Sequence, residues 1–130
     1  MSNERLPSDP GPRRWRYQSF LDCLRGLKVL VATQPNARIH AVATVGAVTL
    51  GIVLGLPVSE WAALVSVITI VWVAESVNTA IEFIVDMVSP EKQRLAGWAK
   101  DVAAAAVLVA SVGAAAVGCL IFIPKLLARG

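Results

Sequence analysis

The stretch from Trp61 to Val88, WAALVSVITIVWVAESVNTAIEFIVDMV, decides how this chain is read. Its first half, Trp61 to Ala74, carries no charge. A bilayer core of ~30 Å takes about 20 helical residues to cross, so the stretch is long enough to span. Its second half then places Glu75, Asn78, Glu82 and Asp86 at steps of three, four and four. At 100° per residue these side chains fall within about an 80° arc, with Thr79 beside them. The spacing therefore predicts a membrane-crossing helix with an acidic stripe on one face. Ionisable groups inside a span are costly and by default mark function. Asp86, at the end of the stripe, reads equally well as a solvated interfacial carboxylate. Glu75 follows the uncharged run and sits deepest.

Two further apolar runs flank this one. Between His40 and Glu60 there is no charge, and none from Val102 to Pro124. In lipid every backbone polar group must be satisfied within its own segment, so each run is expected as a helix. Breaks fall at Gly55-Leu56-Pro57 and at Ser89-Pro90. The third run is rich in Ala, Gly and Ser, which let helices approach closely where lipid offers no hydrophobic drive. Upstream, Phe20, Leu21, Leu24, Leu27 and Val31 recur at helical spacing among basic residues, the pattern of an amphipathic helix lying in a membrane interface. Gln34-Pro35-Asn36 ends it. Residues 1–12, rich in Pro, Gly, Ser and charge, read as a disordered lead. The expected fold is an all-α integral membrane protein with one domain over 13–130. It has an N-terminal surface helix at about 14–33 and three transmembrane helices at about 39–56, 60–88 and 98–124.

Composition agrees. The chain is 56% hydrophobic and 16% charged, with a mean hydropathy of +0.66, against roughly 25% charged residues in a soluble domain. Its net charge of +3 is too mild for a nucleic-acid partner. The basic residues lie beside apolar runs, which points to a membrane surface. Cys23 and Cys119 are far apart and in no metal-ligating spacing, so neither a disulfide framework nor a zinc site is expected. Residues 1–40 contain no apolar run of signal-peptide type. Ten of the 12 Lys and Arg precede the first run or surround the second loop, leaving Lys125 and Arg129 on the other side. That bias puts the N-terminus in the cytoplasm.

With this orientation the acidic stripe, Lys100-Asp101, Arg38 and His40 all fall at the cytoplasmic level. A transporter is expected to hold its carboxylates near the midplane instead. A polar layer at one interface meets ATP from the water and a lipid headgroup from the membrane. Carboxylates with an amide and a Lys suit phosphoryl transfer, which needs positioning and charge neutralisation more than a covalent nucleophile. Magnesium takes one or two carboxylates together with phosphate oxygens and water. A deep carboxylate can accept the proton of a hydroxyl. No Walker-type or kinase Gly-rich loop is present, so the nucleotide site is of another kind.

At these residues the sequence resembles the small prokaryotic diacylglycerol kinases, a family that includes undecaprenol kinases. The likeness runs over roughly Ser19 to Ala110. Its core is Glu75-Ser-Val-Asn78-Thr79-Ala-Ile-Glu82-Phe-Ile-Val-Asp86, followed by Ala99-Lys100-Asp101 and Ala104 to Leu108. Asn36-Ala-Arg38-Ile39-His40 matches the family's N-x-R-I-H segment, and Gly26-Leu27 its surface-helix glycine. The resemblance implies a homotrimer in a bacterial inner membrane, with active sites shared between subunits, moving the γ-phosphate of ATP to a lipid hydroxyl. It implies Glu75 as general base and Glu82 as a carboxylate that holds Mg2+ with the nucleotide phosphates. It places Asn78 and Lys100 near the transferred phosphate, Asp86 and Asp101 in support of the nucleotide site, and Glu91 in the loop approaching the nucleoside. Where the family commonly has a metal-binding glutamate after the surface helix, this chain has Gln34, whose neutral amide oxygen binds magnesium more weakly. The Arg38-Ile39-His40 segment favours undecaprenol over diacylglycerol as acceptor; its plainer reading is interfacial snorkelling.

Three alternatives stay open on sequence alone. One is a small ion-coupled transporter with Glu75 as its carrier carboxylate. Another is a structural or pore-forming membrane oligomer, which has no use for the acidic stripe. The third is a family member impaired in catalysis, suggested by Gln34.

Overall fold

The computed structural model describes residues 11–89, 91 and 93–129, with side chains from Tyr17 onward. The disordered lead expected over 1–12 lies outside the described residues except for Gly11 and Pro12, which open the first helix. Four helices follow one another: α1 (Gly11–Thr33), α2 (Pro35–Leu54), α3 (Val58–Val88) and α4 (Arg94–Leu127). Among the described residues there is no strand. By length and apolar content α2, α3 and α4 can each cross a membrane. Each of these starts two to four residues before its expected beginning, because local chemistry at the turns, not hydropathy, sets helix ends.

That chemistry is visible at each boundary. Gln34 is extended (φ −105°, ψ 115°) and Pro35 occupies the first turn of α2, where its missing N–H costs nothing. Gly55 adopts φ 66°, the left-handed region that a Cβ disfavours. From there its N–H bonds the Ile52 carbonyl, and the Leu56 N–H bonds that of Gly51, both at 3.1 Å. This paired arrangement is the Schellman motif that closes many helices. Leu56 turns inward and is buried. Pro57 then starts α3, accepting the N–H groups of Glu60 and Trp61 at 3.1 and 3.0 Å.

Helix α1 belongs to one compact unit, which ends at Thr33, and a second unit begins at Gln34. Along α1, Asp22 accepts from Gln18 and from Arg25, each at 3.3 Å. In the second unit α3 packs chiefly on α4, and α2 leans on α3 more than on α4. Leu56, Leu64 and Ile121 form the buried core, with Trp61 and Phe122 packed against it. This core lies at the Gly55 end of the bundle. The same end is tied by Lys125 to Glu60 at 3.0 Å. Arg129 also donates to the carbonyls of Val53 and Leu54 at 3.4 and 3.3 Å. A guanidinium there meets the negative end of the α2 dipole and its unpaired carbonyls. Most other large apolar side chains of α2 to α4 are exposed, among them Ile39, Val45, Ile52, Val73 and Val109. An apolar exterior of this kind suits lipid.

The small residues of α4 pack only in part. Ala103 and Val107 are buried, whereas Ser111, Ala114, Ala115 and Gly118 border a cavity of about 310 Å³ shared with α2 and α3.

Candidate active site

The end of the bundle opposite Gly55 gathers the polar residues of the α3 stripe. Helices α2 and α3 run antiparallel, and cross-helix contacts fix their register. The Trp72 indole N–H donates to Thr44 Oγ1 at 3.1 Å. One turn nearer the end, His40 Nε2 stands 3.9 Å from Glu75 Oε2. Two turns further, Gln34 Nε2 donates to Glu82 Oε2 at 3.3 Å. Residues 34, 40 and 44 of one chain segment thus face 82, 75 and 72 of the other.

On α3 the stripe is graded by depth. Glu75 is 1% exposed, and Asn78 and Thr79 are buried. Glu82 is half-buried and Asp86 exposed. Asn78 Nδ2 donates to Glu82 Oε1 at 3.0 Å, so both oxygens of Glu82 are engaged by amide donors. Glu75 Oε2, Asn78 Oδ1 and Thr79 Oγ1 are buried with no hydrogen-bond partner among the described residues. Leaving such groups unpaired costs on the order of 1–3 kcal/mol each and more for a charge. Three adjacent cases on one helix face mark a place that stability alone would not build.

Helix α4 contributes Lys100, whose Nζ reaches Asp86 Oδ1 at 2.8 Å. This pair joins the end of α3 to the start of α4 across the loop. Asp101 is exposed on α4. Glu91 is exposed in the loop, where its carbonyl accepts from Ser89 Oγ at 3.1 Å. The structure therefore brings Gln34, Asn78 and Glu82 into one hydrogen-bonded group, sets Glu75 a turn deeper, and links Asp86 to Lys100. Among the described residues, Glu91 and Asp101 join none of these contacts.

His40 is the residue that the spacing argument leaves out of the site. Its side chain is 16% exposed, lies 3.9 Å from Glu75 and lines the 310 Å³ cavity. Periodicity along one helix cannot reveal it, because the signal is the register between two helices.

The donor set is hard and oxygen-rich. Among the described residues no cluster of three or more His, Cys, Asp or Glu side chains is arranged to hold a metal ion. One carboxylate near the unpartnered amide oxygen of Asn78 fits an ion that draws its remaining ligands from phosphate and water, which is the habit of magnesium.

Comparison with known proteins agrees with this picture. The family model described as prokaryotic diacylglycerol kinase matches residues 22–122. The chain is 36% identical over 110 residues to the undecaprenol kinase of Bacillus subtilis (strain 168), covering 85% of this chain and 89% of the relative. It is 38% identical over 110 residues to a diacylglycerol kinase of Synechocystis sp., covering 84% of this chain and 63% of that protein. To the diacylglycerol kinase of Escherichia coli (strain K12) it is 32% identical over 97 residues, covering 75% and 80%. The chain belongs to the prokaryotic diacylglycerol kinase family, and with it to the lipid kinases.

Proposed function

We propose that this kinase transfers the γ-phosphate of ATP to the hydroxyl of undecaprenol. It does so as a magnesium-dependent homotrimer at the cytoplasmic face of a bacterial inner membrane. The observation that carries the reading is the graded stripe on α3: a buried carboxylate at Glu75, and two turns nearer the end a half-buried one at Glu82 held by Asn78 and Gln34. The two carboxylates have different surroundings, and different surroundings suit different tasks.

Glu75, shielded from water and facing an apolar interior, is the base that removes the acceptor's proton. Glu82 and the amide oxygen of Gln34, with that amide turned over from its present bond to Glu82, would hold Mg2+, with Asn78 close by. A bound magnesium supplies charge neutralisation for the nucleotide phosphates. Lys100 is a cation for the phosphate chain, and Asp86 holds its ammonium at 2.8 Å. Asp101 and Glu91 lie on the water side of this layer, where a nucleotide approaches. The chemistry needs little else from the protein, because phosphoryl transfer rests on placement and electrostatics.

The apolar exterior of α2 to α4 supports a membrane-embedded acceptor. The ten-to-two distribution of Lys and Arg supports a cytoplasmic site. For the acceptor, the Arg38-Ile39-His40 segment and the likeness to the Bacillus subtilis undecaprenol kinase favour the polyprenol. A competition experiment tests it. Undecaprenol and diacylglycerol are offered at equal mole fraction in the same micelles, and the labelled products are separated. Undecaprenyl phosphate as the dominant product supports the assignment, and phosphatidic acid as the dominant product overturns it.

A further inference from the structure

We propose that His40 is the positioning residue for Glu75. Its Nε2–H holds one carboxylate oxygen so that the other faces the acceptor hydroxyl. The inference rests on Glu75 being the base in the function proposed above.

Glu75 is short of a hydrogen bond. It is 1% exposed, and its Oε2 has no hydrogen-bond partner among the described residues. A free carboxylate in that position has several rotamers and no preferred direction, and a misplaced base loses much of its effect. His40 Nε2, at 3.9 Å from that same oxygen, is on the adjacent helix. This is just beyond a hydrogen bond, whose N–H···O distance is about 2.7–3.2 Å. Contacts of this type commonly tighten only when substrate is present.

Among the described residues the neighbouring charged groups are engaged elsewhere or exposed. Glu82, on α3 itself, is taken by Asn78 and Gln34. On α4, Lys100 is engaged by Asp86. Arg38, on α2, is exposed. The register that sets His40 opposite Glu75 is fixed one turn away by the bond from Trp72 to Thr44. His40 also borders the 310 Å³ cavity, so its ring has free space beside it. That leaves room for the ring to close the last fraction of an ångström.

His40 is the only histidine of the chain, so imidazole 15N labelling of the full-length protein in micelles gives one ring to observe. Glu75→Gln is expected to move both ring nitrogen resonances, while Ser66→Ala, on an exposed part of α3, leaves them in place. In phosphate-transfer assays His40→Phe, which keeps the ring's bulk, is expected to lower kcat about 10- to 100-fold, with the KM for ATP within twofold. That loss lies at or below the 10²–10⁴-fold worth of a general base itself. His40→Gln restores an amide donor and is expected to recover most of the rate. Unmoved resonances in Glu75→Gln, or a kcat within twofold of wild type in His40→Phe, overturn the proposal. A wild-type protein that transfers no phosphate sinks the kinase chemistry instead, and the 15N result then decides the His40–Glu75 contact by itself.

Discussion

The side-chain amide of Gln34, the residue between α1 and α2, donates to Glu82 Oε2 at 3.3 Å across 48 positions of sequence. A neutral amide therefore stands beside the half-buried carboxylate that we assign to magnesium. At that spot a second carboxylate would be a like charge, tolerable only with a cation between the two.

Gln34→Glu tests that relation. Without divalent cation the variant is expected to unfold more easily than wild type, because two carboxylates at this separation repel. Magnesium is expected to reverse the loss and to give half-maximal activity at a severalfold lower concentration. Thermal unfolding in EDTA and in magnesium, beside a magnesium activity curve, reads both effects. Identical curves for the two proteins would remove Gln34 from the metal site.

Glu75→Gln removes the base while keeping size and polarity. Loss of a general base costs about 10²–10⁴-fold in rate, or roughly 3–5 kcal/mol of barrier. Oligomer size and unfolding midpoint are expected to stay within error or to rise, since a buried unpaired carboxylate is replaced by a neutral amide. A wild-type rate in this variant contradicts the assignment.

Lys100→Met separates structure from chemistry at the water side. The Lys100–Asp86 pair is partly exposed, and exposed pairs add little to stability. The unfolding midpoint is expected to be unchanged, while kcat/KM for ATP falls by tenfold or more. A loss of stability with kcat/KM intact would make the pair a loop clamp and nothing else.

Gly51→Ala probes the far end, away from the site. A Cβ on Gly51 would lie 2.9 Å from Cη2 of Trp61 and 3.0 Å from Cδ1 of Leu56. Leu56 belongs to the small core with Leu64 and Ile121, and Trp61 packs against it. Overpacking of this kind costs about 1–3 kcal/mol. Denaturant unfolding in micelles is expected to show that loss, with activity per folded molecule retained. An unshifted midpoint would mean that Trp61 has another place to go.

Much of the site is legible from one helix. The three-four-four spacing from Glu75 to Asp86 names a face, and the uncharged run before Glu75 gives its depth; the structure buries Glu75 and exposes Asp86 accordingly. What spacing cannot give is the partner across the groove. His40 meets Glu75, and Gln34 meets Glu82, only because the Gly55 turn and the Trp72–Thr44 bond set the register of α2 on α3. The C-terminal cations carry the same lesson. In sequence Lys125 and Arg129 are two positive charges on the side the orientation rule leaves nearly bare. In the fold, Lys125 pairs with Glu60 and Arg129 caps the carbonyl end of α2.

The proposed activity is a magnesium-dependent transfer of phosphate from ATP to a lipid hydroxyl. The direct measurement incubates purified full-length protein in mixed micelles with γ-labelled ATP and undecaprenol, with magnesium or with EDTA, and separates the lipids. A labelled lipid phosphate is expected to form with magnesium and to be absent in EDTA. A folded protein that labels no lipid in magnesium, or labels it equally well in EDTA, would contradict the proposed activity.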